Sequence, residues 1–281
     1  MATDPISPLH LTPLHLTKVA FGATSLEHLS ERLAARAALR IGAGLVTLAC
    51  PPEALLENAA RLDAVMLRPV ADAAALNDVL RDARLNALCL GPGLGLDATR
   101  GALVAAALAS GRALVLDADA LSSFAEDPET LFAAIHPRVV LTPHEGEFAR
   151  LFPDLAAAVR ADHSKIEVVR AAAARAGCVV LLKGADTVIA DPDGTRSIHA
   201  AVYDRSAPWL ATAGAGDVLA GLISGLAAPQ NTGSLIGMVE VAAWLHVECA
   251  RCFGPGLIAE DLPEILPKVL KGLGEPLRSL R

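Results

Sequence analysis

The feature that most constrains this chain is its alternation of short apolar runs with longer amphipathic stretches. Leu45–Ala49, Ala87–Leu90, Ala113–Leu116, Val139–Leu141 and Cys178–Leu182 are continuously uncharged. Helical patterns lie between them, as at Leu29–Ile41, Asp97–Ser110 and His163–Ala176. A strand that is apolar at every position must be covered on both faces. Strands of this kind separated by helices predict an α/β, three-layer fold with a mostly parallel central sheet and helices on both faces. The pattern changes at Thr187–Ala190 and Arg196–Ala200, which flank Asp191-Pro192-Asp193-Gly194. A turn at Asp-Gly between two apolar segments predicts an antiparallel edge hairpin. After Asp217 the pattern is helical almost throughout.

Composition narrows the partners. A formal net charge of −7 argues against nucleic acid or an anionic membrane as the main partner. Aromatics at 3% are too few for base-stacking platforms. An apolar content of 53% in 281 residues excludes disorder and allows a sizeable core. The longest uncharged stretch, Val218–Val239, has Pro229, Gln230, Asn231, Thr232 and Gly233 at its centre, so it reads as two helices around a turn and not as a membrane span. Met1–Pro8 has neither a basic start nor an apolar run, so no secretory signal is expected. Cys50, Cys89, Cys178, Cys249 and Cys252 are scattered and fit reduced thiols in a cytoplasmic protein. Cys249 and Cys252 form a CxxC inside a helical pattern and read as buried helix thiols. The repeat Pro8-Leu9-His10-Leu11-Thr12, Pro13-Leu14-His15-Leu16-Thr17 reads as an N-terminal arm and not as a metal site.

Four loops concentrate glycines and ionisable groups at strand ends or helix starts. Thr212-Ala213-Gly214-Ala215-Gly216-Asp217 precedes a helix, where unpaired N–H groups and the dipole favour phosphate. Asp217 at that helix start is either a functional carboxylate or a helix cap. Gly91-Pro92-Gly93-Leu94-Gly95 follows a strand, where open parallel sheets bind ligands, but it lacks the dinucleotide fingerprint. Thr142-Pro143-His144-Glu145-Gly146-Glu147-Phe148 puts His144 and Glu147 three residues apart at a helix start. Glu147 is a candidate to hold Mg²⁺ through water, or simply an acidic first-turn residue. Lys183-Gly184-Ala185-Asp186-Thr187 puts a cation at a strand end. Asp117-Ala118-Asp119 ends another strand, with Asp119 the expected cap of the next helix. No P-loop is present.

Together these motifs resemble the ribokinase-like superfamily, and within it the ADP- or ATP-dependent NAD(P)H-hydrate dehydratases, over roughly Leu33 to Leu270. Thr142–Phe148 is similar to the family's Thr-Pro-His-Pro-Gly-Glu-Phe, with Glu145 replacing a proline. The resemblance implies a hydro-lyase that repairs hydrated NADH or NADPH. A nucleotide phosphorylates the ring hydroxyl, and phosphate then leaves. It implies that Asp217 is the catalytic base and that Gly93, His144 and Asp217 bind substrate. Lys183, Gly184, Ala185, Asp186, Thr187 and Gly216 would bind the adenine nucleotide. Gly214, Ala215 and Gly216 would form the anion hole. It further implies Mg²⁺, ADP or ATP as co-substrate, a homotetramer and a cytoplasmic location.

The resemblance weakens at the N-terminus. Residues 1–28 are expected to form a divergent arm and 29–281 the catalytic domain. Ser30 and Glu31 stand where the family carries small residues facing the substrate, so no substrate-binding alanine is assigned here. Two alternatives remain open. One is a ribokinase-like kinase of a vitamin-precursor alcohol. The other is a nucleotide-binding homologue with impaired catalysis.

Overall fold

A computed structural model describes residues 27–94, 98–160, 163–228 and 233–274. The elements in chain order begin with α1 (Glu27–Arg40), β1 (Thr47–Cys50), α2 (Leu55–Ala59), β2 (Met66–Pro69) and α3 (Ala73–Val79). Then follow β3 (Ala87–Leu90), α4 (Ala98–Ala109), β4 (Ala113–Leu116), α5 (Ala118–Ser122), α6 (Pro128–Ala134) and β5 (Val139–Leu141). Next come α7 (Glu145–Leu151), α8 (Pro153–Arg160), α9 (Lys165–Ala176), β6 (Val179–Leu182), β7 (Asp186–Ala190) and β8 (Arg196–Ala200). Three helices close the described chain: α10 (Ala215–Ala227), α11 (Leu235–Phe253) and α12 (Asp261–Gly274).

Side chains alternate across a strand, so an all-apolar strand feeds two cores. Leu88, Leu90, Leu114, Leu116, Leu141 and Val180 pack into the core on one face of the sheet. Cys89, Val115, Val140, Val179 and Leu181 pack into the other, with α10 and α11. Strands β3, β4, β5 and β6 are parallel neighbours, and β7 and β8 add antiparallel pairs at the edge. The hairpin turn closes as expected, with Gly194 at φ 95° and its N–H on the Asp191 carbonyl at 3.0 Å. The fold is thus the three-layer α/β architecture expected from the alternation.

Several local expectations need correction. The first predicted strand begins at Thr47, and it pairs in parallel with β2 as a separate two-stranded sheet. β2 is mostly exposed, so it carries no apolar run to mark it. The helix expected from His163 starts at Lys165 behind Ser164. Cys249 is buried in α11 as read, but Cys252 is exposed. The N-terminal repeat and Gly95 lie outside the described residues.

Candidate active site

The strand-end loops stand side by side because sheet hydrogen bonding runs on past the strands. The Asp117 N–H donates to the Leu90 carbonyl at 3.0 Å, and the Thr142 N–H to Leu116 at 3.1 Å. The Lys183 N–H donates to the Pro143 carbonyl at 2.9 Å. The Gly91–Leu94 turn, Asp117, Thr142–Glu147 and Lys183 therefore share the carboxyl edge of the parallel strands, where such sheets bind ligands. Gly91 makes this spacing possible. At φ 129°, a Cβ built on it would lie 1.7 Å from the Asp117 carbonyl oxygen. Gly93, at φ 71° and buried, completes the turn.

Lys183 is the hub. Its Nζ donates to Asp117 Oδ1 at 2.5 Å and lies 3.9 Å from Glu147 Oε2. Burial disfavours the ammonium, yet Asp117 and Glu147 outweigh it and hold the Lys183 pKa above its ordinary value. Asp117 corrects one expectation. It occupies the N-cap position of α5 itself, ahead of Asp119, but makes no side-chain cap bond. Its carboxylate, 1% exposed, turns to Lys183 instead. Ala118 follows at φ 45°, a left-handed conformation that non-glycine residues rarely adopt.

His144 and Glu147 form a capping box at the start of α7. His144 Nδ1 accepts from the Gly146 and Glu147 N–H groups, and Glu147 Oε2 accepts the His144 N–H at 2.8 Å. The His144 side chain is 55% exposed and faces the opening, while Glu147 is nearly enclosed. Burial raises the Glu147 pKa against the pull of Lys183.

Asp217 is the third residue of α10. Gly214, at φ 87°, is the N-cap, so Asp217 does not cap the helix. The helix's first backbone bond runs from the Val218 N–H to the Gly214 carbonyl. The Gly216 and Asp217 N–H groups precede it and are directed outward. Burial raises the Asp217 pKa to about 6, against a Ser30 hydrogen bond that favours the carboxylate. Ser30 on α1 thus meets Asp217. Glu31 is fully buried and accepts Asn58 Nδ2 at 2.9 Å.

Beside this cluster opens a cavity of about 480 Å³. Lys183, Gly184, Ala185 and Thr187 line one wall, Ala215 and Gly216 another, and His144 also borders it. Asp186 does not line it, because its carboxylate pairs with Lys165 at 2.8 Å. Gly93, Gly214 and Asp217 also lie outside its lining. Reading the sequence missed Asp117 as the partner of Lys183, Ser30 as the donor to Asp217, and His199 and His246 in the cavity wall. The departure from the family pattern at Ser30 was the available signal. His246 had none, since it recurs at helical spacing with Ala243 and Val247 and reads as core.

No group of three or more His, Cys, Asp or Glu side chains among the described residues is arranged to hold a metal. Asp117 and Glu147 already face Lys183. The donors fit only a magnesium that keeps its waters and arrives on nucleotide phosphates.

Replacing Lys183 by Met should strand the Asp117 and Glu147 carboxylates in a buried site. A loss of about 3–5 kcal/mol in denaturant unfolding at neutral pH is expected. Adding Asp117→Asn should recover part of it.

The chain matches the sequence model of the NAD(P)H-hydrate dehydratase family over residues 30–267. It is 40% identical over 263 residues to a bifunctional NAD(P)H-hydrate repair enzyme of Moorella thermoacetica, covering 88% of this chain and 48% of that protein. It is 38% identical over 248 residues to the Synechocystis enzyme of that name, covering 84% and 43%. The chain therefore spans about half the length of these curated relatives. Among solved structures, an ADP/ATP-dependent NAD(P)H-hydrate dehydratase of Bacillus subtilis, co-crystallised with ATP and Mg²⁺, superposes with a TM-score of 0.74. The two are 25% identical, and the match covers 96% of this chain and 94% of that one. A hydroxyethylthiazole kinase of Pyrococcus horikoshii shares the fold at 15% identity and a TM-score of 0.64, covering 92% and 90%. The loops that meet at the sheet edge all fall within the matched span, and the chain belongs to the NAD(P)H-hydrate dehydratase family.

Proposed function

We propose that this protein is a hydro-lyase that dehydrates hydrated NADH or NADPH with ADP or ATP as co-substrate. The observation that carries this reading is the placement of Asp217. It sits at the start of α10, next to unpaired N–H groups and beside a cavity whose walls include Lys183 and Gly216. Hydroxide is a poor leaving group and phosphate a good one. Asp217 takes the proton of the ring hydroxyl as its oxygen attacks the terminal phosphoryl group of the nucleotide, and the anhydride P–O bond breaks to release AMP from ADP or ADP from ATP. The N–H groups at Gly214 and Gly216 receive the charge of the transferring group, while the Ala215 N–H, expected to share this role, donates to the Thr212 carbonyl at 3.3 Å. Phosphate then departs with the carbon–oxygen bonding electrons, and loss of a ring proton restores the double bond.

Lys183, Gly184, Ala185, Thr187 and Gly216 hold the nucleotide in this reading, and Gly93 and His144 face the hydrated ring. Asp186 contributes through its backbone, since its carboxylate is engaged by Lys165. Glu147 would be the residue near a nucleotide-borne Mg²⁺, which would supply charge neutralisation on the phosphates. The same reading expects a homotetramer acting in the cytoplasm, without nucleic-acid or membrane partners. No described helix is long and apolar enough to cross a membrane. Light scattering reads the assembly directly.

Incubation with the hydrated dinucleotide, ADP and Mg²⁺ should restore the absorbance of the reduced nicotinamide. No recovery, with phosphorylation of a vitamin-precursor alcohol, would establish the kinase reading instead. Binding of nucleotide without turnover of either substrate would indicate a catalytically impaired homologue.

The pH profile follows from Asp217. A base works only when ionised, and its pKa is raised to about 6. kcat/KM is expected to be level above that pH and to fall about tenfold per unit below it. A profile flat down to pH 4.5 would assign the proton transfer elsewhere.

A further inference from the structure

The turn that walls the cavity is held from behind. Gly184, Ala185 and Thr187 line the cavity, while Asp186 between them does not. Each carbonyl from Gly184 to Asp186 has a different partner. The Thr187 hydroxyl donates to the Gly184 carbonyl at 3.0 Å, and the Ala201 N–H to the Ala185 carbonyl at 2.7 Å. The Asp186 carbonyl accepts from Lys165 Nζ at 2.9 Å. The same ammonium donates to Asp186 Oδ1 at 2.8 Å, so one side chain grips backbone and carboxylate together. A Cβ built on Gly184 would lie 3.0 Å from Lys165 Nζ, which puts the ammonium directly against the turn. The Lys165 side chain is 16% exposed, so little water competes for these bonds.

Lys165 is badly placed for its own helix. It is the first residue of α9, after an N-cap Ser164 that makes no side-chain cap bond. The positive end of the helix dipole disfavours a cation there and favours an acid. The position makes sense if the ammonium serves the turn and not the helix. Without it, the Asp186 carboxylate would stand bare behind the wall and repel nucleotide phosphates. We propose that Lys165 is a positioning residue of the nucleotide site, pinning the Gly184–Asp186 turn and neutralising the Asp186 carboxylate without touching the ligand. The inference rests on the nucleotide-binding reading above and goes beyond it by naming what holds the wall in shape.

Calorimetric titration of the full chain with ADP and Mg²⁺ tests this. Lys165→Met should weaken ADP binding about tenfold, the scale of a hydrogen bond to a charged group. Its thermal midpoint should fall by less than about 4 °C, because Asp186 is 58% exposed and such pairs add little stability. Amide hydrogen exchange at residues 183–187 should quicken in this variant. Lys165→Arg, which keeps donors for both oxygens, should bind ADP within about threefold of wild type. Arg170→Met removes another cation from α9, one that pairs with Glu167, and should leave ADP affinity within about twofold. ADP affinity and exchange at 183–187 both unchanged in Lys165→Met would overturn the inference and leave the nucleotide reading standing. So would equal weakening by Arg170→Met, which would reduce the effect to general charge. Failure of the wild type to bind ADP would overturn the nucleotide reading itself.

Discussion

Asp217→Ala is expected to lower kcat by at least about 10³-fold while the dissociation constant of ADP changes by less than about threefold. The separation follows from position. Asp217 lies at the start of α10 next to Ser30, outside the lining of the cavity that holds Lys183 and Gly216. Removing it deletes the proton acceptor and leaves the N–H groups in place. Retained turnover would reduce Asp217 to a structural carboxylate. Asp217→Asn adds a second, opposite effect. An acid whose folded pKa is raised destabilises the fold once ionised, fully above about pH 6 and not at all below its ordinary 3.8. The shift corresponds to at most about 3 kcal/mol. Asp217→Asn should therefore unfold about 1–3 kcal/mol later than wild type at pH 7, and the gain should vanish by pH 4. In the proposed role of Asp217, such a loss of stability is the expected cost of a base tuned upward by burial.

Gly91→Ala should be the most damaging glycine-to-alanine change among the described residues. The added carbon would sit 1.7 Å from the Asp117 carbonyl oxygen, and the residue would be held at φ 129°. Moving Asp117 aside would break its N–H bond to the Leu90 carbonyl and its pair with Lys183. A loss above about 4 kcal/mol, or no folded protein at all, is expected by chemical denaturation. A loss below about 1 kcal/mol would mean that the two loops are not tightly apposed. This glycine sets the spacing between the Gly91–Leu94 turn and Asp117, the residue that pairs with Lys183.

How far the sequence disclosed the fold depended on burial. β3, β4 and β5 have the boundaries read from the sequence, since each is apolar at every position and faces two cores. β2 escaped because Met66–Pro69 is exposed and breaks the pattern with Arg68 and Pro69. α2 and α3 are short and close no long amphipathic repeat. In the site, glycines at strand ends located the loops, because backbone geometry is written in residue type. Side-chain partners were not written there. Asp117 and Asp119 look alike as text, and only the position of Lys183 just past β6, two strands from β4, distinguishes them. Asp186 shares a motif with Lys183, yet it opens β7 on the far side of the turn, where its carboxylate pairs with Lys165. His246 lay hidden in an apolar helix face, where a lone histidine resembles core.

The most direct test of the account is a paired measurement on one reaction mixture of hydrated dinucleotide, ADP and Mg²⁺. Reduced nicotinamide formed and inorganic phosphate released are followed together. If Asp217 drives phosphoryl transfer to the ring hydroxyl and phosphate then leaves, the two appear in equal amounts, and both cease in Asp217→Ala. Nucleotide consumption that ends in a stable phosphate ester, with no reduced nicotinamide recovered, would contradict it.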